Sequence, residues 1–453
     1  MYALVFALII GDVLNAVLAL YVAFSLRFGA LPGLGKMFEG GVTKVIIFTI
    51  VLLFISFLLE FYDLEKNLKK KEVFSRLPVV FATSFFILSA LYYMMPPLLL
   101  GRGVLLIALG FFILLQFFWH MIHKSAIDKA KIANKVLVLG TGALASQIGN
   151  IITSTNHSLS LAGYLGSQYE PVTVSSDQIV GNGEKLLETV ARENAQKIVV
   201  SISERRGGLP IQELMECKFS GIDVIDAPSF YEQVMGKILL ESITGGWFVF
   251  SGGFKRSLFL RLFKKTADKV LAIMLLALTL PLSMVVALLI KISSPGPVLF
   301  RQVRVGEREK HFVLYKFRTM RADAEEKTGA VWAEKNDPRV TGLGGILRKT
   351  RLDEIPQLYN VLKGDMCFIG PRPERPEFVE KLKQVIPFYS QRHFIKPGLT
   401  GWAQVKYPYG ASVEDAIEKL RYDLYYIKNM SVHLELLIIL ETIKVVLFGR
   451  GGR

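Results

Sequence analysis

One stretch decides the character of the C-terminal half of this 453-residue chain: Arg348-Lys-Thr-Arg-Leu-Asp-Glu-Ile-Pro-Gln-Leu-Tyr-Asn-Val-Leu-Lys-Gly-Asp-Met-Cys-Phe-Ile-Gly-Pro-Arg-Pro373. It sets two adjacent carboxylates, Asp353 and Glu354, between cationic residues and closes with a rigid Pro-Arg-Pro. Such a pair suits metal-assisted chemistry on a phosphate ester, because one carboxylate can hold a divalent ion or attack phosphorus while guanidinium groups neutralise phosphoryl oxygens. The competing interpretation is a solvated acidic pair at a helix start, where acids suit the macrodipole.

Four further blocks accompany this stretch in order along the chain. They are residues 295–306, 315–320, 396–405 and 422–431. Together with the first stretch they span roughly residues 255–450, and they resemble the bacterial sugar transferase family, the polyprenyl-phosphate hexose-1-phosphate transferases. Several ordered blocks make this resemblance specific, unlike a single short motif.

The resemblance implies transfer of a sugar 1-phosphate from a uridine diphosphate (UDP) sugar to polyprenyl phosphate, with release of UMP, as the first step of a surface glycan. It implies that Asp353 attacks the phosphorus next to the sugar and that Glu354 binds Mg²⁺, which shields the diphosphate. The likeness favours four cations as phosphate ligands: Lys316, Arg318, Arg348 and Arg372. Arg372 is the strongest candidate because the two flanking prolines fix its backbone. For the basic run around Lys316, the competing interpretation is a solvated face.

The composition indicates a membrane enzyme that acts on anions. Hydrophobic residues make up 51% of the chain, and the formal net charge is +15. This combination points to acidic lipid headgroups or phosphorylated substrates. The sequence carries no helix-turn-helix, zinc-finger or RNP-type motif, which argues against a nucleic-acid partner. Cys217 and Cys367 lack neighbours at metal-ligand spacing, so a disulfide framework or a zinc site is not expected.

The first 125 residues predict a transmembrane bundle of four helices, each formed by an apolar run near the ~20 residues that span a bilayer. The runs are residues 2–26, 42–62, 77–100 and 103–122. Basic residues cluster between the second and third runs and after the fourth, at Lys66, Lys69, Lys70, Lys71, Arg76, Lys124, Lys129, Lys131 and Lys135. The positive-inside rule then places both termini on the cytoplasmic side, in a bacterial inner membrane. Asp12 and Asn15 in the first run are interpreted as polar groups packed against other helices, with a functional role as the alternative.

Residues 133–245 alternate between apolar strands and amphipathic helices, which predicts a small doubly wound, Rossmann-like α/β domain. Strands are expected at 161–165, 197–201 and 223–225, with a helix at 184–194. The turn from Gly140 to Ala145 resembles a dinucleotide-binding turn, but no acid follows the next strand to hold a ribose hydroxyl. A nucleotide-free scaffold is therefore favoured over a redox site, and whether the turn binds a ligand stays open.

A membrane-associated segment opens the last third of the chain. Residues 245–253 predict a linker or hairpin, and residues 255–269 form a basic amphipathic stretch suited to the headgroup plane. The apolar run that follows contains Pro281, which deletes a backbone donor and bends a helix. The resemblance implies a re-entrant helix at 268–291 that enters and leaves the inner leaflet at this break. The alternative is a fifth, kinked span, which the cationic block after it opposes. Family members often carry Ser where this chain has Leu280.

The sequence thus predicts a membrane protein of three parts: a four-helix bundle (1–125), a Rossmann-like domain (126–247) and a mainly helical α/β phosphoglycosyl transferase domain (248–453). Within the last part a helix is expected at 413–429, capped by Ser412 and Asp415, and an apolar run at 433–448 is expected to lie on the membrane. A homodimer through the bundle or the middle domain is compatible with this organisation.

Two other function classes remain open at this point. A membrane-tethered nucleotide-sugar dehydratase or epimerase would need a Tyr-x-x-x-Lys pair, but neither Tyr62 with Lys66 nor Tyr359 with Lys363 lies in the middle domain. A non-catalytic scaffold of polysaccharide assembly would need neither Asp353 nor its neighbouring acid.

Overall fold

The computed structural model describes residues 2–29, 35–38, 42–62, 70–154, 159–166, 170–182, 185–202, 209–254, 258–321, 324, 337–407, 410 and 412–447. The chain divides into two compact units, Met1–Phe230 and Tyr231–Arg453. The first unit holds a helix bundle and a parallel α/β domain, and the second holds the five sequence blocks. Some charges used for the predictions lie outside the described residues, namely Lys66, Lys69 and the residues 255–257.

Four apolar helices follow one another in the N-terminal bundle: α1 (Tyr2–Phe28), α2 (Thr43–Leu58), α3 (Lys70–Met94) and α4 (Arg102–Ala133). Their buried faces share one apolar core, in which small residues of α1 such as Ala16, Ala19 and Ala23 allow close helix approach. α1, α3 and α4 each contain a stretch long and apolar enough to cross a membrane. α2 has 16 residues, fewer than the ~20 of a full span, because the helix ends at Leu58 and not near residue 62 as predicted.

Asp12 of α1 is the centre of a buried polar cluster in this bundle. Its Oδ2 accepts hydrogen bonds from the Tyr62 hydroxyl and from Gln116 Nε2, each at 2.8 Å, and lies 3.1 Å from His120 Nε2. Since these partners follow α2 or belong to α4, the interpretation of Asp12 as a group packed against other helices is confirmed. Asn15 Nδ2 is also buried and has no hydrogen-bond partner among the described residues.

Five parallel strands form the sheet of the α/β domain: β1 (Lys135–Leu139), β2 (Ser160–Gly166), β3 (Ile179–Asn182), β4 (Ala195–Val200) and β5 (Asp223–Asp226). Helices in the connections are α5 (Ala143–Ser154), α6 (Leu186–Glu193) and α7 (Ile211–Phe219). The spatial order β3-β2-β1-β4-β5 reverses direction at β1, as in doubly wound folds. The predicted architecture is therefore confirmed, and β3 is a strand that the sequence reasoning missed.

A side chain of the same domain occupies the glycine-rich turn between β1 and α5. Glu170 Oε2 accepts hydrogen bonds from the backbone N–H groups of Thr141 at 3.4 Å and of Gly142 at 3.3 Å. Gly140 has φ +130°, and a Cβ there would crowd this carboxylate. A helix N-terminus attracts anions, and here the chain supplies its own. This contact agrees with the interpretation of the domain as a scaffold.

The second unit begins within α8 (Ala227–Met235) and continues to a short helix, α9 (Gly245–Phe250). Residues 245–253, predicted to be a linker or hairpin, begin with this short helix, so the hairpin alternative is wrong in that part. Thr244 Oγ1 accepts a hydrogen bond from the Trp247 N–H at 3.3 Å and so caps a helical turn. The indole of Trp247 packs edge-on against Phe248 and Phe254, which ties the segment to the core of the second unit.

A 36-residue helix, α10 (Leu258–Ser293), follows. Its stretch Arg261–Ser293 is long and apolar enough to cross a membrane. Pro281 lies inside this helix, which continues on both sides of it. The re-entrant path at 268–291 stays a prediction.

The rest of the second unit combines two small sheets with helices. An antiparallel hairpin joins β6 (Leu299–Val305) to β7 (His311–Phe317), and β8 (Cys367–Ile369) pairs in parallel with β9 (Gly398–Thr400). The remaining helices are α11 (Gly342–Lys349), α12 (Gln357–Lys363), α13 (Pro376–Val385), α14 (Trp402–Lys406), α15 (Val413–Lys428) and α16 (Val432–Leu447). The capping box predicted for Ser412 and Asp415 is present at the start of α15. Residue 448, the predicted end of the last helix, lies outside the described residues.

Candidate active site

The two adjacent acids lie in a tight turn between α11 and α12. Arg351 lies two residues after the end of α11, adopts the left-handed region with φ +60° and precedes the short 3-10 turn Leu352–Glu354. Pro356 then precedes the first residue of α12. The left-handed residue Arg351 interrupts the helical path of the chain. Asp353 and Glu354 therefore lie in a separate short turn and not on a continuation of α11.

Glu354 is surrounded by cations from three separate segments. Its Oε1 lies 3.3 Å from Lys316 Nζ on β7, 3.5 Å from Arg351 Nη1 and 3.1 Å from Arg372 Nη2. Burial alone would raise the pKa of Glu354, but these cations hold that pKa well below its usual range. Burial lowers the pKa of Lys316, and Glu354 opposes that shift. Glu354 is therefore ionised and holds three positively charged side chains close to Asp353.

Asp353 is buried, whereas its neighbour Glu354 is only partly buried, and the two have different contacts. Its Oδ1 is buried and has no hydrogen-bond partner among the described residues. Burial raises the pKa of Asp353, the charge of Glu354 adds to this, and Lys316 and Arg348 offset only part of it. A desolvated carboxylate oxygen with no partner keeps its lone pairs available, and nearby cations favour its ionised form. These are the properties of a carboxylate nucleophile.

Arg372 is held through both its side chain and its backbone. Its Nη2 donates to Glu354, its Nη1 donates to Gln404 Oε1 at 3.1 Å, and its carbonyl oxygen accepts from Arg392 Nη2 at 3.1 Å. Arg392 in turn pairs with the buried carboxylate of Asp423 at 2.8 Å. Burial raises the pKa of Asp423 to about 6, and the charge of Arg392 opposes the shift. The prediction that the Pro-Arg-Pro segment is rigid is thus supported by contacts from α14, α15 and the turn Tyr389–Phe394.

Close backbone packing positions the same segment. β8 and β9 approach so tightly at Gly398 that a Cβ there would overlap the backbone of Gly370, which directly precedes the Pro-Arg-Pro. The glycines in the 396–405 block are therefore explained by packing against the β8 end, without any direct contact to a ligand.

The other two predicted phosphate ligands have different surroundings. Arg348 lies in the last turn of α11, donates from Nε to Thr319 Oγ1 at 3.0 Å and contributes to the electrostatics of Asp353. Arg318 is buried and donates to the carbonyl oxygens of Pro295 at 2.5 Å and Ser294 at 2.8 Å. These bonds tie the end of β7 to the segment that follows α10. The contacts of Arg318 are structural, and its phosphate role stays an untested prediction.

The acidic turn is also a candidate site for a divalent metal ion. Among the described residues no group of three or more His, Cys, Asp or Glu side chains forms a complete ligand set. Mg²⁺ usually keeps several waters and binds one or two carboxylates together with substrate phosphates. The carboxylate of Glu354 fits this incomplete type of site, which the oxygens of a phosphorylated substrate would complete, while Asp353 Oδ1 stays available for attack.

Sequence reasoning missed several residues of this site, namely Arg351, Arg392, Gln404 and Asp423. Arg351, Gln404 and Asp423 stand inside the recognised blocks, so membership of a block was the available signal. Nothing in the sequence pairs Arg372 with Gln404, which is 32 positions further along the chain.

Comparison with known proteins places the site in a family. A family model described as bacterial sugar transferase matches residues 259–449. A UDP-N-acetylgalactosamine-undecaprenyl-phosphate N-acetylgalactosaminephosphotransferase of Aeromonas hydrophila is 41% identical over 240 residues, 53% of this chain and 56% of that protein. A UDP-glucose:undecaprenyl-phosphate glucose-1-phosphate transferase of Xanthomonas campestris pv. campestris is 31% identical over 338 residues, 73% of this chain and 69% of that protein.

A shorter relative matches the C-terminal part. An exopolysaccharide production protein of Rhizobium leguminosarum bv. phaseoli is 41% identical over 185 residues, which are 40% of this chain and 92% of that protein. The chain thus spans between about half and nine-tenths of the length of these relatives. The family match contains all five sequence blocks and the acidic turn. This chain belongs to the bacterial sugar transferase family.

Proposed function

We propose that this chain transfers a sugar 1-phosphate from a UDP-sugar to polyprenyl phosphate, releases UMP and so initiates a surface polysaccharide. The names of the relatives from Aeromonas and Xanthomonas support both substrates. One structural observation carries the proposal: the unpartnered Asp353 Oδ1 is buried beside an ionised Glu354 that collects Lys316, Arg351 and Arg372. A dinucleotide-dependent dehydratase or epimerase has no use for such a cluster.

The proposed reaction has two displacements at one phosphorus atom. An oxygen of Asp353 attacks the phosphorus next to the sugar, a P–O bond to Asp353 forms, and the P–O bond to UMP breaks with its electron pair on UMP. An oxygen of polyprenyl phosphate then attacks the same phosphorus, and the bond to Asp353 breaks. The carboxylate is regenerated, so a single buried oxygen serves both halves of the reaction.

The surrounding cations stabilise the charge that moves in these steps. Arg372 presents a planar guanidinium whose orientation Glu354 and Gln404 fix, which suits a phosphoryl group. Lys316 comes from β7 and adds a compact charge that also lies against Glu354 Oε1. When bound, Mg²⁺ would shield the diphosphate charge, held by Glu354 and by the oxygens of the donor.

The proposed setting is the cytoplasmic face of a bacterial inner membrane. Basic residues in the last part of α4 and directly after it, together with the long apolar helix α10, support it, because the lipid phosphate emerges at the headgroup plane while UDP-sugars are water-soluble. The inner-leaflet, re-entrant path of α10 around Pro281 is part of this proposal.

The test is UMP release by the purified chain with Mg²⁺, undecaprenyl phosphate and a panel of UDP-sugars. With one donor we expect repeated turnover that needs the lipid phosphate, stops with EDTA and is lost in Asp353→Asn, whereas without the lipid the release should stop after about one UMP per chain. Release that survives in Asp353→Asn would keep the transferase but remove the covalent step. A well-folded wild-type chain that releases no UMP from any donor would overturn the proposed function.

A further inference from the structure

The side-chain amide of Gln404 has an orientation that chemistry fixes. Arg372 Nη1 lies 3.1 Å from Gln404 Oε1, and a guanidinium can only donate hydrogen bonds. The amide oxygen must therefore face Arg372, and the NH₂ group must face away from it.

This orientation leaves the NH₂ group of Gln404 to be accounted for. Gln404 Nε2 is buried, and it has no hydrogen-bond partner among the residues that the structure describes. A buried donor without an acceptor costs free energy, so such a group in a functional region points to a ligand that supplies the acceptor. Gln404 shares Arg372 with Glu354, so its amide belongs to the same cluster as the acidic turn.

The backbone that carries Gln404 is held in place independently of any ligand. Trp402, at the start of α14, is buried, donates from Nε1 to the Gly236 carbonyl at 2.7 Å and stacks on Tyr425. Gly401 packs against Gly370 so closely that a Cβ would overlap the carbonyl of Gly370. The amide is thus presented by a short helix whose start is held by packing, as a preorganised binding group should be.

We propose that Gln404 is a donor-binding residue, whose Nε2 donates a hydrogen bond to a phosphate oxygen of the UDP-sugar diphosphate that Arg372 binds. The inference rests on the proposed function, because it names a contact to that donor substrate. Non-bridging phosphate oxygens only accept hydrogen bonds, and an amide supplies donors at every pH. Glutamate in the same place would keep the partner of Arg372 but would present an acceptor and a negative charge to the diphosphate.

The experiment compares the full chain with Gln404→Glu, with uncharged Gln404→Met and with the matched control Gln384→Glu, whose residue is exposed on α13. The readouts are kcat, the separate KM values for UDP-sugar and for undecaprenyl phosphate, and the Kd of UDP measured by calorimetry without lipid. We expect the KM for UDP-sugar and the Kd for UDP to rise about 10- to 100-fold in Gln404→Glu. The KM for the lipid should stay within about 2-fold, and Gln384→Glu should match the wild type.

The outcomes separate this inference from the proposed function. If the wild type releases UMP and both Gln404 variants, folded by thermal unfolding, keep the wild-type KM and Kd for the donor, the inference is wrong and the transferase stands. If the KM for the lipid rises as much as that for the donor, Gln404 has a general structural role and the inference is also wrong. If the wild type neither releases UMP nor binds UDP, both fail.

Discussion

The glycine-rich turn of the α/β domain and the acidic turn of the transferase domain each contain a carboxylate, but the two carboxylates have opposite surroundings. At the first, Glu170 supplies the acceptor that the N–H groups of Thr141 and Gly142 require. At the second, Asp353 Oδ1 is buried and has no hydrogen-bond partner within the described part of the chain, while the neighbouring Glu354 pairs with Lys316, Arg351 and Arg372. A turn whose backbone N–H groups are paired with a carboxylate of the chain itself is expected to be structural, whereas a buried carboxylate oxygen beside several cations is expected to act on a ligand.

Among the substitutions that test this comparison, replacement of Asp353 should have the largest effect on UMP release. Asp353→Asn keeps the shape of the side chain but removes the nucleophile, so we expect UMP release to fall by at least about 10³-fold. The thermal unfolding temperature should not fall, because the variant no longer buries a charge without a hydrogen-bond partner. A variant with lowered stability and residual activity proportional to its folded fraction would instead assign Asp353 a structural role.

Arg372→Lys tests whether the guanidinium geometry matters or only its charge. Lysine cannot donate to Glu354 and Gln404 from one plane, so we expect kcat/KM to fall about 10²-fold with the charge retained. Arg421→Lys is the matched control, because Arg421 of α15 pairs with Glu241 and Glu418 away from the acidic turn. Equal activity of the two variants in a UMP-release assay would show that Arg372 acts through charge alone.

The pH dependence of stability tests the pair of Arg392 and Asp423, which holds the backbone of Arg372. Burial raises the pKa of Asp423 to about 6, above the ~3.9 of an unfolded aspartate. Its contribution to stability is therefore fully present below pH ~4 and is lost as pH rises through about 6. Thermal unfolding of the wild type should show this loss, and Asp423→Asn should not show it.

The groups that face Asp423 must be considered in that titration. They are Arg392, Lys419 and Glu374, with Tyr389 behind Arg392. Because Arg392 also holds the backbone of Arg372, Asp423→Asn should lower UMP release at pH 7.5 by roughly 10-fold. Stability curves of wild type and variant that run parallel between pH 4 and 6 would contradict the raised pKa.

Glu170→Gln should have the smallest effect. It removes a charge from the glycine-rich turn, so we expect a loss of about 1 kcal/mol or less in stability and faster amide exchange at Thr141 and Gly142. UMP release should be unchanged, as in the control Glu188→Gln on the exposed face of α6. A 10-fold loss of transferase activity would break the comparison, because the filled turn would then serve the reaction.

The sequence predicted the fold well where local patterns decide it. Apolar runs predicted the bundle helices, strand–helix alternation predicted the parallel sheet, and Ser412 with Asp415 predicted the start of α15. The segment after Thr244 was misjudged because its glycines suggested a loop. There the cap from Thr244 and the packing of Trp247 outweigh the ~1 kcal/mol that a glycine costs in a helix.

The candidate site was predictable only in its composition. Asp353 and Glu354 were visible as neighbours, but their different environments arise from tertiary contacts with β7 and the Pro-Arg-Pro segment. Arg318 and Arg372 were both predicted to bind phosphate. The structure separates them, since Arg318 donates to the backbone carbonyls after α10 and Arg372 donates to Glu354 and Gln404.

The most direct test of the central claim is the intact mass of the purified chain after incubation with Mg²⁺ and its UDP-sugar, without lipid phosphate. The account predicts an added mass of one sugar phosphate, located on the peptide that contains Asp353, absent from Asp353→Asn and removed by undecaprenyl phosphate. An active wild type that carries no adduct at any time point, with UMP formed only when the lipid is present, would contradict the assignment of Asp353 as the nucleophile.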